Sequence, residues 1–125
     1  MTTSEVEQLE AEFDSQMLWI CEECRRFFAY RPTRFQAMVA EMGGLRTAKV
    51  LLDPKRPTSQ SVAWEELQKS QGRYFYLTME YLVVQNKYGS LFTPQELKEA
   101  EDRLAWFPNE RIDRGLYPYP APPTL

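Results

Sequence analysis

Two cysteines three residues apart, Cys21-Glu22-Glu23-Cys24, have the C-x-x-C spacing that serves thiol redox chemistry or supplies half of a zinc site. Redox pairs of this form sit at a helix N-terminus, where the dipole lowers a thiol pKa. These two fall deep within a predicted helix, beside acids that raise it. A zinc site needs four ligands, and the chain holds no second pair. The spacing therefore reads as core packing, with a zinc ion or disulfide shared by two chains as the alternative. The chain contains no histidine, which removes Ser–His and Cys–His catalysis and the commonest metal ligand. Neither G-x-x-x-x-G-K-[ST] nor G-x-G-x-x-G occurs, so nothing announces a nucleotide.

Glu80 interrupts an apolar run, Tyr74 to Val84. A buried carboxylate must find a partner or take up a proton. Arg34 and Lys49, both set among apolar residues, are the expected partners in a buried polar pair. The alternative is a surface glutamate on a half-exposed helix. Catalysis by Glu80 needs a pocket and a second group, and the sequence shows neither.

Charge is segregated along the chain. Residues 1–24 carry seven acids and no base, whereas residues 25–56 carry eight bases against Glu41 and Asp53. Residues 36–52 can be laid onto a helix-turn-helix, with Ala40 as the small residue of the first helix, Gly44 in the turn and Val50 buried in the second. Arg46, Thr47 and Lys49 then face a major groove. Gly43 and Asp53 fit badly, standing where such motifs place apolar residues. A local excess of bases favours phosphate contact, but the whole chain is acidic, with net charge −3. A solvated basic surface, or one pairing with the acidic first helix, is the commoner outcome, and as a binding patch Arg31, Arg34, Arg46 and Lys49 would serve an acidic protein partner.

The elements that must position these residues are helical. Ser4 and Glu7 form an expected capping box at the start of a helix running to about Phe28. Its apolar positions, Val6, Leu9, Phe13, Met17, Ile20, Cys21, Cys24, Phe27 and Phe28, keep the three-and-four spacing of one buried face. Acids crowd its first half, and Arg25 and Arg26 sit in its last turn, as the helix dipole favours. Pro32 breaks the chain before a second helix, Thr33 to Met42, which Gly43-Gly44 ends. A third helix, Leu45 to Leu52, is stopped by Asp53-Pro54. A fourth is expected over Ser61 to Ser70. A fifth, Thr78 to Gln85, starts at Thr78 as cap, although its aromatic and β-branched content also suits a strand. After a turn over Asn86 to Ser90 comes the clearest start in the chain. Thr93 and Glu96 form a capping box, Pro94 takes the first helical position, and Phe92 with Leu97 forms a hydrophobic staple. This last helix runs to about Trp106.

From Pro108 onward, prolines alternate with Tyr117 and Tyr119, so residues 108–125 read as an extended or disordered tail on a domain of residues 1–107. No run approaches the ~18 apolar residues a membrane helix needs. The first residues lack the basic and apolar regions of a signal peptide, which points to the cytoplasm. Two cysteines on one helix offer no disulfide framework and suit a reducing compartment.

Tyr30-x-Pro32-Thr33-Arg34-Phe35, Met38, Gly43-Gly44 and Ala48-Lys49-x-Leu51-Leu52 resemble the first half of a small all-helical domain found in uncharacterised bacterial proteins. Leu77-Thr78-x-Glu80, Leu91-Phe92-Thr93-x-x-Glu96-Leu97 and Arg103-Leu104 resemble its second half. The resemblance spans about Phe13 to Leu104. It implies a helical unit, occurring alone or appended to larger proteins, with no catalytic residues to carry over. The family's Ser-Asp-Gly middle loop reads Thr58-Ser59-Gln60-Ser61 here. Its Arg-Leu-Asp-Leu-Thr reads Arg73-Tyr74-Phe75-Tyr76-Leu77-Thr78, so no role of that region is transferred.

The expected protein is thus all-α, a compact bundle of five or six helices with a Pro-rich C-terminal tail. It is expected to act as a protein–protein interaction module without catalysis, metal or cofactor, and to have a protein partner, which a second copy can also be. A small nucleic-acid-binding protein using residues 36–52 is the runner-up.

Overall fold

The computed structural model describes residues 2–27, 33–55, 77–107 and 112–115. The chain opens in α1, Thr3–Phe27, whose 25 residues make a rod about 37 Å long. Its first turn is fastened by Thr2 rather than Ser4. Glu5 donates its N–H to Thr2 Oγ1 at 3.1 Å, and the Glu5 carboxylate accepts from the Thr2 N–H at 3.3 Å. Thr2 also gives its carbonyl to Val6 N, so the helix begins two residues before the expected Ser4–Glu7 box.

Phe13, Met17, Ile20 and Cys21 are buried as their spacing predicts, and Gln16 and Trp19 join them. Val6, Leu9 and Cys24 are half-buried against the same core.

Two short helices lie against this rod: α2, Thr33–Met42, and α3, Gly44–Leu51. Gly43 separates them with φ 87°, a left-handed conformation that favours glycine. Gly44 is needed for a different reason. A Cβ there would stand 2.8 Å from Asp14 Cα, so α3 approaches the α1 backbone more closely than any side chain allows. Asp14 completes the joint, its Oδ1 accepting the Leu45 N–H at 3.0 Å, so α3 is capped by a side chain of α1. Val39, Ala48 and Leu52 are buried, while Phe35, Leu45 and Leu51 pack partly exposed around them.

Next described is α4, Met79–Val83, a helix within the expected Thr78 to Gln85. Thr78 caps it, accepting from Tyr81 N at 3.1 Å. A 3-10 turn, Asn86–Leu91, leads to α5, Pro94–Leu104. Both halves of the Thr93–Glu96 capping box are present, and Phe92 and Leu97 lie in the apolar cluster. α4 packs on α5 and on α1, and the 3-10 turn lies against α1. There the Phe13 ring meets Tyr88 and Phe92 edge-on, with centroids 5.3 and 5.4 Å away.

The described residues thus form an all-α bundle with no strand, and none of their helices is long and apolar enough to cross a membrane. The expected helix over Ser61 to Ser70 lies outside the described residues, as do residues 108–111 and 116–125 of the expected tail. Packing continues past 107, however. Ile112 is partly buried against the core, Asp113 N donates to Tyr81 Oη, and Asn86 N donates to the Arg114 carbonyl.

Candidate functional site

Glu80 is buried on α4, and the cation it meets is Arg103 rather than Arg34 or Lys49. Arg103 stands on α5 between Ala100 and Leu104, both buried, so its side chain turns inward. Its Nη1 lies 3.1 Å from Glu80 Oε2, its Nε donates to Glu99 Oε2 at 2.8 Å, and its Nη2 donates to the Asp53 carbonyl at 3.2 Å. One guanidinium therefore joins α4, α5 and the end of α3. A planar fork with several donors suits that task better than an ammonium. With its charge matched and its donors shared, the group is a clamp within the fold.

Lys49, the other expected partner, reaches Glu96 instead. Its Nζ lies 2.8 Å from Oε1, the same oxygen that accepts the Thr93 N–H, and 5.2 Å from the centroid of the Phe92 ring. Burial alone would raise the Glu96 carboxyl. The ammonium of Lys49 and the bonds from Thr93 outweigh it, so the carboxyl lies below its ordinary range. The capping box of α5 thus also fastens α3.

The four bases expected to form one binding surface are not drawn together by contacts among the described residues. Arg34 lies exposed in the first turn of α2, Arg46 lies exposed on α3, and neither has a partner among the described residues. Lys49 is occupied by Glu96, and Arg31 lies outside the described residues. The helix-turn-helix assignment also fails at three places. Ala40, which should pack inward, is exposed; Val50 is only half-buried; and Thr47, which should face a groove, is fully buried. Together with the capture of Lys49, this leaves Arg46 alone of the three expected groove contacts.

The two thiols are free, Cys21 buried and Cys24 half-buried, in the last third of α1. Burial pushes Cys21 up to about 12, with the neighbouring Cys24 and Glu22 adding to the shift. Burial, then Glu23, does the same to Cys24, also to about 12. Raised in this way, neither thiol is activated as a redox nucleophile. Among the described residues no group of three Cys, Asp or Glu is placed to hold a metal ion.

Sequence reasoning missed four interior polar groups, Arg103, Gln16, Thr47 and Gln85, the last donating its Nε2 to the Tyr81 carbonyl. Arg103 was hidden by Glu99 four residues earlier, a spacing that normally marks a solvated helix pair. Gln16 and Thr47 are buried, and Gln16 Oε1, Thr47 Oγ1 and the Tyr88 hydroxyl lack hydrogen-bond partners among the described residues. Burial, followed by the charge of Glu12, pushes the Tyr88 phenol up to about 12. At the surface, Leu18 and Trp106 are the exposed large apolar side chains among the described residues.

Comparison of the chain with family models, with curated proteins and with solved structures returned no match.

Proposed function

We propose that this protein is a non-catalytic protein–protein interaction module whose exposed bases, Arg34 on α2 and Arg46 on α3, receive an acidic protein. What supports the reading is how its reactive groups are used. Glu80 is matched by Arg103, and both thiols are held protonated. Arg34 and Arg46 meanwhile stand exposed, without partners among the described residues. Charge left in solvent on packed helices steers and orients an oppositely charged partner. The reading keeps the small bacterial domain as its family, and its free thiols suit a reducing, cytoplasmic compartment.

The test uses the full chain and a fluorescent polyglutamate peptide, with duplex DNA as competitor. Anisotropy is expected to report binding that weakens as salt rises, and the Arg34→Glu, Arg46→Glu double variant is expected to bind about tenfold less tightly. Absence of peptide binding at low salt overturns the proposal. Preferential, salt-sensitive binding of DNA transfers the basic surface to the nucleic-acid reading.

A further inference from the structure

Residues 112–115 lie on the body of the protein as a bound peptide lies on its receptor. Exposure alternates along them: Ile112 and Arg114 are half-buried, whereas Asp113 and Gly115 are exposed. Ile112 packs against the apolar core. The main chain is held at two points, since the Asp113 N–H donates to Tyr81 Oη and the Arg114 carbonyl accepts from Asn86 N, each at 2.9 Å. The Arg114 side chain is held at two more. Its Nη1 donates to the Val84 carbonyl at 3.2 Å, and its Nη2 lies 2.7 Å from Glu101 Oε1. Main-chain bonds that give affinity, joined to alternate side chains that give specificity, are how extended peptides are recognised. The receiving groups have a reason to take an occupant. The last carbonyls of a helix have no N–H of that helix to accept. At the end of α4 the Tyr81 carbonyl is met by Gln85 Nε2, and that of buried Val84 is met by Arg114. The hold is nevertheless light. The Arg114 and Glu101 side chains are 41% and 47% exposed, and ion pairs so open to water add little.

We infer that Tyr81, Val84, Asn86 and Glu101 form a docking site for a peptide segment of a partner protein. The segment it takes carries an aliphatic residue two positions before an arginine, and residues 112–115 hold the site until that partner displaces them. The occupant's chemistry is read from the segment seated there. An aliphatic side chain covers the edge of the core, and a guanidinium serves the Val84 carbonyl and the Glu101 carboxylate at once, as a planar fork of donors can. Because the resident segment must leave first, the partner's apparent affinity is lowered in proportion to the fraction of chains whose site is open. The site uses neither Arg34 nor Arg46, so it stands or falls separately from the acidic-partner reading.

Fluorescence anisotropy at physiological salt tests this on the full chain, using a labelled peptide with the sequence of residues 110–117 and circular dichroism to verify that each variant folds. The wild type is expected to bind the peptide weakly. The Arg114→Glu chain, whose own segment Glu101 repels, is expected to bind it about tenfold more tightly. A Glu101→Arg chain should reject this peptide and bind instead one carrying Arg114→Glu, an exchange of charge that a merely structural strap would not produce. A native peptide that binds neither the wild type nor the Arg114→Glu chain, that binds both equally, or that still binds the Glu101→Arg chain overturns the inference. Self-association of the wild type that Arg114→Glu abolishes makes the occupant a second copy and overturns the assignment to a partner protein.

Discussion

Glu80 and Arg103, 23 residues apart in sequence, meet at 3.1 Å with side chains 6% and 7% exposed. In so dry a setting the pair behaves asymmetrically. Forming it gives little net stability, whereas removing one member strands the other. Arg103→Met is therefore expected to cost about 3–5 kcal/mol, by leaving Glu80 buried without its cation. Lys49→Met breaks a half-exposed pair and is expected to cost about 1 kcal/mol or less. Urea-unfolding midpoints for the two variants measure the contrast, and equal losses would contradict the clamp.

The joint between α1 and α3 makes a second contrast. Gly44→Ala drives a methyl group against the Asp14 backbone and is expected to cost about 1–3 kcal/mol, the range of overpacking. At Gly43 the same change meets the Asp14 carboxylate only at ordinary contact distance but requires a positive φ, with an expected cost of about 1–2 kcal/mol. Asp14→Ala removes the cap and should cost about 0.5–2 kcal/mol. Because Asp14 is part of the contact, Gly44→Ala and Asp14→Ala should combine non-additively in a double-mutant cycle. Strict additivity would show that the carboxylate and the close approach are independent.

Alkaline pH should loosen the fold. Cys21, Cys24 and Tyr88 are all held above their ordinary values, so between those values and about 12 the unfolded chain binds fewer protons than the folded one. The stability they contribute is fully present at neutral pH and declines as pH rises from about 9 toward 12. Chemical denaturation across this range is expected to show that decline, made shallower by Cys21→Ala with Cys24→Ala. A thiol reagent at pH 8 should react slowly with the native chain and promptly with the unfolded one. Rapid native labelling of both cysteines would contradict their burial.

Cap substitutions distinguish the two possible starts of α1. Thr93→Ala removes a complete capping box in the body of the fold and is expected to cost about 0.5–2 kcal/mol. Thr2→Ala is expected to fray only the first turns, lowering helicity slightly with little change in the unfolding midpoint. Ser4→Ala should do neither, and a larger effect there than at Thr2 would restore the Ser4–Glu7 box.

The contrast between these caps shows what the sequence makes legible. Thr93, Pro94 and Glu96 are near neighbours, and backbone geometry decides their bonds almost alone. Thr2–Glu5 and Ser4–Glu7 have the same spacing, and the choice between them rests on whether two further residues join the helix, which spacing does not encode. Apolar periodicity likewise locates Phe13, Met17 and Ile20 inside. The apolar run around Glu80 offers its burial as one of two readings, and the structure selects it. Its partner is not legible, because that depends on how α5 lies across α4, a relation carried by shapes distributed over both helices. Thr47 was misplaced for a similar reason: the helix-turn-helix template supplied an orientation that the Gly44–Asp14 contact overrides.

The short stretch around Arg114 bears on where the protein can be cut. Its guanidinium donates to the Val84 carbonyl and pairs with Glu101, while its own carbonyl accepts from Asn86 N. A truncation after Phe107, where the prolines invite one, would strip a strap from across the hairpin of α4 and α5. It would also bare the apolar surface beneath Ile112. Fusion partners and affinity handles at this end therefore belong beyond Gly115, and a fragment ending earlier should expose sticky surface and precipitate more readily.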